Sequence, residues 1–210
     1  MLSRLSITFV ACVGLCGCLT GQRPTLTTAP PGGNEGSPVG DANADAVLTL
    51  LESTATSSST ATYTILHKFG GETATAVVAR DGSGKKSVTV GDIRFLLVGA
   101  TQTCVVSTKE CVAGVAEQRV SDLGISSTFA DNAPARRLRV SVRRKTSPTT
   151  ASTKDIGGQS ATCVAVPVGN GQETYCAVAG GHLAYLDASD VNIQLDSLTA
   201  SADPKLFSTP

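Results

Sequence analysis

The sequence lacks tryptophan, and only 4% of its residues are aromatic. Carbohydrate-binding surfaces usually stack sugars on tryptophan or tyrosine, so this scarcity argues against such a surface. Seventeen basic residues balance seventeen acidic ones, so no overall positive field favours nucleic acid. The abundant small and β-branched residues favour a sheet over thick helical packing.

Catalytic signatures are missing as well. The sequence contains no G-x-S-x-G nucleophile elbow. DGSGKKS, residues 81–87, departs from a phosphate-binding loop because Ala79 stands where the first glycine is required, and we interpret it as a hairpin turn. The two histidines, His67 and His182, stand in no pattern with a nucleophile. We therefore expect a protein that is not an enzyme and needs no cofactor, and an extracellular hydrolase is a poor alternative.

The N-terminal apolar run, residues 5–15, is too short to span a bilayer. As a helix it would cover about 16 Å, roughly half of the hydrocarbon core. A run of this length, preceded by one basic residue, is typical of a signal peptide.

The sequence Leu15-Cys16-Gly17-Cys18 after this run resembles a bacterial lipobox. Cys18 fits the lipidated position because Gly17 supplies the required small residue before it, whereas Cys16 would follow Leu15. We predict a signal peptide over residues 1–17 and a lipid anchor on Cys18, which would hold the protein on the extracytoplasmic face of the cell membrane. A plain secretory signal with incidental cysteines is the alternative.

Residues 18–40 are dominated by threonine, proline and glycine and show no apolar periodicity. Such a composition predicts a flexible tether, which we interpret as a simple spacer. A tether of this kind would span about 25 Å between its ends. The remaining residues, 41–210, have a length that suits one domain.

Four cysteines of that domain form two close pairs, Cys104 with Cys111 and Cys163 with Cys176. In an oxidising compartment, close pairs are expected to form disulfides. A zinc site is the alternative, but neither histidine lies near a pair at a ligand spacing. We therefore predict no metal site.

Most of the domain shows the patterns of strands joined by short turns. Asp41 is a candidate cap for a helix near residues 42–54. Residues 191–198 alternate cleanly, which predicts a strand with one face in the core. Further strands are predicted at 61–68, 73–80, 85–90, 93–99, 160–168, 173–180 and 182–187. The predicted fold class is α+β: a large curved antiparallel sheet, or half-barrel, of roughly nine or ten strands, with helices covering its concave face.

The middle of the domain is less regular. We predict a helix over residues 131–144, although Leu138, Val140 and Val142 also alternate with arginines at the period of a strand. The following TSPTTASTK, residues 146–154, is predicted to be a loop.

Two stretches resemble the lipid-binding lipoproteins of the LolA/LppX type, and particularly their actinobacterial relatives. They are IGGQSATCVAVPVGNGQETYCAVAGGHLAYLD, residues 156–187, and the ending ADPKLFSTP, residues 202–210. The resemblance implies a half-barrel closed by helices around an apolar cavity, and in some members the carriage of acylated lipids between membranes. It implies no catalytic residue. The two cysteine pairs depart from the carrier prototype.

Two functional hypotheses remain. The first is a membrane-anchored module that binds a lipid or another apolar ligand under the sheet, with Ala74, Ala76, Ala165 and Val191 facing a hollow interior. The second is an envelope structural or protein-interaction lipoprotein, with a filled core and an exposed apolar patch that contacts a partner protein.

One concentration of positive charge stands out in the predicted second helix. These residues could contact anionic lipid headgroups, at about 1 kcal/mol for each side chain near the surface. A solvated helix face is the alternative. The residues are Arg136, Arg137, Arg139, Arg143, Arg144 and Lys145.

Overall fold

The computed structural model describes residues 36–53 and 57–210. The predicted signal peptide, Cys18 and the tether up to residue 35 lie outside the described residues. Within the described ranges, no helix has the length and apolar character needed to cross a membrane.

The domain is built on one open antiparallel sheet of eleven strands, which confirms the predicted α+β half-barrel class. The strand order is β6-β5-β4-β3-β2-β1-β11-β10-β9-β8-β7, so two meanders meet where β1 pairs with β11. The strands are β1 (Ser58–His67), β2 (Thr73–Asp81), β3 (Lys86–Val90), β4 (Ile93–Val98), β5 (Ala100–Val105), β6 (Cys111–Ala113), β7 (Thr150–Ile156), β8 (Gln159–Val168), β9 (Gly171–Val178), β10 (His182–Asp187) and β11 (Val191–Thr199).

The first predicted helix is confirmed as α1 (Ala42–Leu51). Its N-terminus is capped as predicted, because Oδ1 of Asp41 accepts a hydrogen bond of 3.2 Å from the backbone N–H of Ala44. Its apolar side chains are buried against the sheet and α3. They are Ala44, Val47, Leu48 and Leu51.

Two helices lie between the meanders, α2 (Glu117–Leu123) and α3 (Asn132–Arg143). The helical interpretation of 131–144 is confirmed, and the strand alternative is wrong. Ala135, Leu138 and Val142 are buried, at the spacing of three and four residues that places them on one helix face. A short 3₁₀ helix (Pro204–Phe207) follows β11.

The predicted loop over residues 146–154 is wrong, because β7 begins at Thr150. This strand pairs with β8 from Thr150 opposite Ala165 to Ile156 opposite Gln159. Almost all of its residues are exposed, so it has no apolar alternation that would identify it as a strand. Backbone hydrogen bonds to β8 hold it at the sheet edge.

Both predicted disulfides are formed, and they join neighbouring strands. Cys104 of β5 is bonded to Cys111 of β6, and Cys163 of β8 is bonded to Cys176 of β9. In each case the two cysteines face one another in the strand register, with Cα atoms 4.0 Å apart. The four sulfur atoms are therefore not free to act as zinc ligands.

A continuous apolar core fills most of the space between the helices and the sheet. At its centre, the ring of Tyr63 in β1 meets that of Phe129 edge to face, with centroids 5.4 Å apart. The helices contribute the buried faces of α1 and α3, and small residues of β8 to β10 complete the packing.

Candidate functional site

A cavity of about 390 Å³ lies between the start of α3 and strands β1, β10 and β11. Its volume is at the low end of the range of about 300–1,000 Å³ that is usual for small-molecule sites. We call it the apolar cavity. Its lining residues are His67, Phe69, Gly124, Ile125, Ser126, Phe129, Ala133, Pro134, Arg137, Leu186, Asp190, Val191 and Ile193.

The walls of the apolar cavity are mostly hydrocarbon. Leu186 of β10 and Ile193 of β11 are buried and lie opposite one another in the sheet. Ile125 and Phe129, which precede α3, are also buried and face these strands across the cavity. Phe69, in the turn between β1 and β2, is 79% exposed and forms part of the rim.

His67, the last residue of β1, is one of the polar residues that line this cavity. Its Nε2 is buried and has no hydrogen-bond partner within the described part of the chain. Gly124 lies against the ring: a Cβ there would be 3.0 Å from Cε1 of His67, and its φ of +60° also favours glycine. A buried polar nitrogen without a partner is costly, so a bound molecule that hydrogen-bonds to it would be favoured.

An ion pair borders the cavity. Arg137 of α3 donates to both carboxylate oxygens of Asp190, with Nη1 to Oδ2 at 3.1 Å and Nη2 to Oδ1 at 2.5 Å. These hydrogen bonds lower the pKa of Asp190 below its ordinary value. Nη2 of Arg137 also lies 3.7 Å from Oε1 of Glu173. The guanidinium is thus fixed beside the apolar walls.

The hollow interior predicted under four small residues is only partly found. Val191 lines the apolar cavity, whereas Ala74, Ala76 and Ala165 do not. Ala76 is fully buried in the packed core, directly opposite Tyr63 in the register of β1 and β2. The large ring of Tyr63, packed on Phe129, fills the space that the small side chain leaves.

The structure divides the predicted basic surface into two groups. Arg139 is buried and ion-paired with Glu52, Lys145 is ion-paired with Asp41, and Arg137 binds Asp190 as described above. The side chains of Arg136, Arg143 and Arg144 are exposed, as is that of Lys145. Contact with an anionic surface stays a prediction.

No family model matches the chain, and no curated protein matches it either. Among solved structures it is similar to a crystal structure of MucB, with 16% identity, a TM-score of 0.44, and coverage of 79% of this chain and 61% of that chain. It is also similar to MucB in complex with MucA(peri), with 13% identity and a TM-score of 0.46. That match covers 80% of this chain and 60% of the MucB complex chain. The match to the Pseudomonas aeruginosa MucA/MucB complex has 13% identity and a TM-score of 0.47. It covers 80% of this chain and 61% of that chain.

The chain therefore spans about 60% of the length of the MucB chains that it resembles. All three likenesses are at low sequence identity. None of these three structures is described as an LppX-type lipoprotein, so that part of the resemblance remains a prediction.

Proposed function

We propose that this protein is a membrane-anchored, extracytoplasmic lipoprotein with a binding rather than a catalytic role, and that its apolar cavity holds one acyl chain or an apolar ligand of similar size. The observation that carries the proposal is the combination of hydrocarbon walls with the unpartnered Nε2 of His67. Such a site suits a ligand with an apolar body and a single hydrogen-bonding group.

The size of the cavity limits the ligand. A volume of about 390 Å³ accommodates one chain rather than a lipid with several acyl groups. Burial of each methylene contributes about 0.8 kcal/mol before the costs of association. Six buried methylenes would therefore contribute about 5 kcal/mol, enough for reversible binding once those costs are met.

The polar end of the ligand has two candidate contacts. Nε2 of His67 is available within the cavity, and the guanidinium of Arg137 lies at its border. Asp190 already neutralises Arg137, so a neutral hydroxyl or ester group fits this arrangement better than a second carboxylate.

The proposed lipid anchor would place the binding domain at the membrane. A lipid on Cys18 and a tether of about 25 Å would keep the domain close to the membrane surface. Accurate mass measurement of the mature N-terminal peptide tests this part. Acyl chains on a peptide that begins at Cys18 are expected, and an unmodified N-terminus elsewhere would contradict the anchor.

Ligand binding is tested on the full chain purified in a mild detergent, by displacement of a fluorescent fatty alcohol and by extraction of co-purified lipid. Ala133→Phe adds a ring at a half-exposed position that lines the cavity, so we expect it to reduce binding at least tenfold. Ala46→Phe, at an exposed position of α1, is the matched control and should bind normally. Equal binding by both variants would place the ligand elsewhere.

A second candidate function, contact with a partner protein, is favoured by one observation. Phe69 is 79% exposed at the rim of the apolar cavity. An apolar side chain of a partner could occupy the cavity in place of a lipid. Phe69→Ser would then abolish capture of that partner, while it weakens fatty-alcohol binding less than Ala133→Phe does.

A further inference from the structure

A second pocket, of about 500 Å³, is separate from the apolar cavity and differs from it in chemistry. It lies where the end of α1 meets the β2–β3 hairpin, Asp131 and Gly181, and it shares no lining residue with the apolar cavity. Three cationic side chains line it, Arg80, Lys85 and Lys86. We call it the cationic pocket.

Arg80 and Lys86 are directly opposite one another on β2 and β3. Both side chains are largely withdrawn from solvent, with 12% and 10% exposure. Like charges at facing positions of a sheet repel one another. The arrangement is tolerated because Asp131 lies between them and accepts from both cations.

The charges of the cationic pocket do not balance. Asp131 is one carboxylate shared by two cations, and Lys85 adds an exposed third cation. Glu52, the other acid in the lining, is already paired with Arg139. Asp81, just outside the lining, interacts with Lys85 and offsets part of its charge. A smaller excess of positive charge remains in the pocket, and it favours an anionic ligand.

The guanidinium of Arg80 is held by hydrogen bonds, and some of its N–H donors remain unused. It donates to the carbonyl oxygens of Gly181 at 3.2 Å and Ala130 at 2.8 Å, and to Oδ1 of Asp131 at 3.1 Å. A guanidinium has five N–H donors, so these bonds leave two of them over. Lys86 is similarly oriented, by the carbonyl oxygen of Ser127 at 3.4 Å and by Asp131.

Two titratable side chains in or beside the pocket have pKa values that are lowered mainly by burial. Burial, followed by the positive charge of Arg80, lowers the pKa of His182 to about 4, so this imidazole is neutral at physiological pH. Burial also lowers the pKa of Lys86, although Asp131 opposes that effect. His182 therefore adds no positive charge beside the pocket at physiological pH.

The geometry points to an oxyanion site: we propose that the cationic pocket binds a phosphate group, carried either by free phosphate or by a phospholipid headgroup. The two remaining donors of Arg80 lie on Nε and Nη1, so the guanidinium offers single charge-assisted hydrogen bonds to phosphate oxygens, and lysine adds a point charge. Gly36, the first described residue on the side of the predicted anchor, also lines this pocket. The membrane of that anchor is therefore a source of headgroups within reach of a short tether.

The test uses the full chain in a mild non-ionic detergent, with three soluble probes: inorganic phosphate, dihexanoyl phosphatidylglycerol and dihexanoylglycerol, which lacks phosphate. Calorimetric titration measures each affinity at constant ionic strength. Arg80→Gln is expected to weaken phosphate binding at least tenfold, and Lys85→Gln about threefold, because Lys85 is exposed. Arg119→Gln, on the exposed surface of α2, is the matched control and should change nothing.

The probes separate the two sources. Binding of inorganic phosphate alone supports a free-phosphate site, and binding of the phosphatidylglycerol in competition with phosphate supports a headgroup site. If Arg80→Gln fails to fold by circular dichroism, Lys85→Gln still decides the question. Absence of binding by both phosphate probes, or affinities that Lys85→Gln leaves unchanged, would overturn the proposal.

Short-chain lipids could also enter the apolar cavity, and one comparison separates the two sites. Ala133→Phe should retain the phosphate-dependent binding, because Ala133 does not line the cationic pocket. Binding of dihexanoylglycerol and phosphatidylglycerol with equal affinity, both lost in Ala133→Phe, would assign all lipid binding to the apolar cavity and contradict the headgroup site.

Discussion

Arg139, buried in α3, is ion-paired with Glu52, which directly follows α1: its Nη2 lies 2.7 Å from Oε1 of Glu52. The pair also holds the start of the described chain, because Nη1 of Arg139 donates to the carbonyl oxygen of Ser37 and Oε2 of Glu52 accepts from the N–H of Gly36. One buried pair thus joins both major helices to residues 36 and 37, which belong to the predicted tether but are held against the domain here.

Arg139→Met should be strongly destabilising. It leaves Glu52 half-buried without its partner, and loss of one member of a buried pair typically lowers the free energy of unfolding by about 3–5 kcal/mol. Urea unfolding monitored by circular dichroism measures this change. Arg136→Met, on the exposed face of the same helix, is the control and should lie within about 0.5 kcal/mol of the wild type. Equal effects of the two substitutions would show that the buried pair contributes nothing specific.

The sequence predicts those features that depend on neighbouring residues. Asp41 signals the start of α1, and the spacing of Ala135, Leu138 and Val142 predicts α3. Cys163 and Cys176 flank a short turn, so their hairpin and disulfide could also be predicted. In each case the residues that allow the prediction lie within one helix or within two consecutive strands.

Features that depend on distant residues could not be predicted in this way. Arg139 belongs to a basic run that resembles a solvated face, and its partner lies 87 residues away. Asp190, the partner of Arg137, is 53 residues away. The apolar cavity depends on how Tyr63 and Phe129 fill the core around it, which no local pattern encodes.

The two disulfides should differ in their resistance to reduction. Cys163 and Cys176 are fully buried, whereas Cys111 is exposed on the short strand β6. We therefore expect mild reductant to open the Cys104–Cys111 bond first, since attack requires access to a sulfur atom. Alkylation followed by peptide mass spectrometry measures the order. Simultaneous reduction of both bonds under native conditions would contradict this prediction.

Removal of the buried disulfide should affect stability. The double substitution of Cys163 and Cys176 by alanine is expected to lower the free energy of unfolding by about 3 kcal/mol, the value typical of a short closed loop. Thermal unfolding under non-reducing conditions measures it. An unchanged melting temperature would show that the strand pairing of β8 and β9 alone fixes the hairpin.

His182 should make the protein less stable as the pH falls from about 6.5 to about 4. Burial and the charge of Arg80 lower its pKa to about 4 in the folded state, whereas the unfolded chain binds the proton near pH 6.5. The unfolded state therefore binds more protons in this window, and up to about 3 kcal/mol of stability is lost on acidification.

The measurement is the free energy of unfolding at several pH values for the wild type and for His182→Gln. The glutamine variant should show a flatter dependence between pH 6.5 and 4, whatever its absolute stability. Identical slopes for the two proteins would show that His182 does not cause the acid sensitivity.

Gly181 should tolerate no side chain, because the backbone of the α1 end lies against it. A Cβ at this position would be 2.3 Å from the carbonyl oxygen of Ser53, and φ is +73°. At neighbouring Gly180, φ is +81°, but the nearest atom to a Cβ would be Cδ2 of His182, at 3.5 Å. Gly180→Ala therefore reports backbone strain alone, expected at about 1–2 kcal/mol.

Gly181→Ala adds the clash with Ser53 to that strain, and we expect its cost to exceed that of Gly180→Ala by at least about 2 kcal/mol. Urea unfolding of both variants measures the difference. Because the carbonyl oxygen of Gly181 also accepts from Arg80, Gly181→Ala should in addition weaken phosphate binding in the cationic pocket. Equal stabilities of the two variants would mean that α1 moves away from Gly181 at little cost, and the end of α1 would then not be a fixed wall of that pocket.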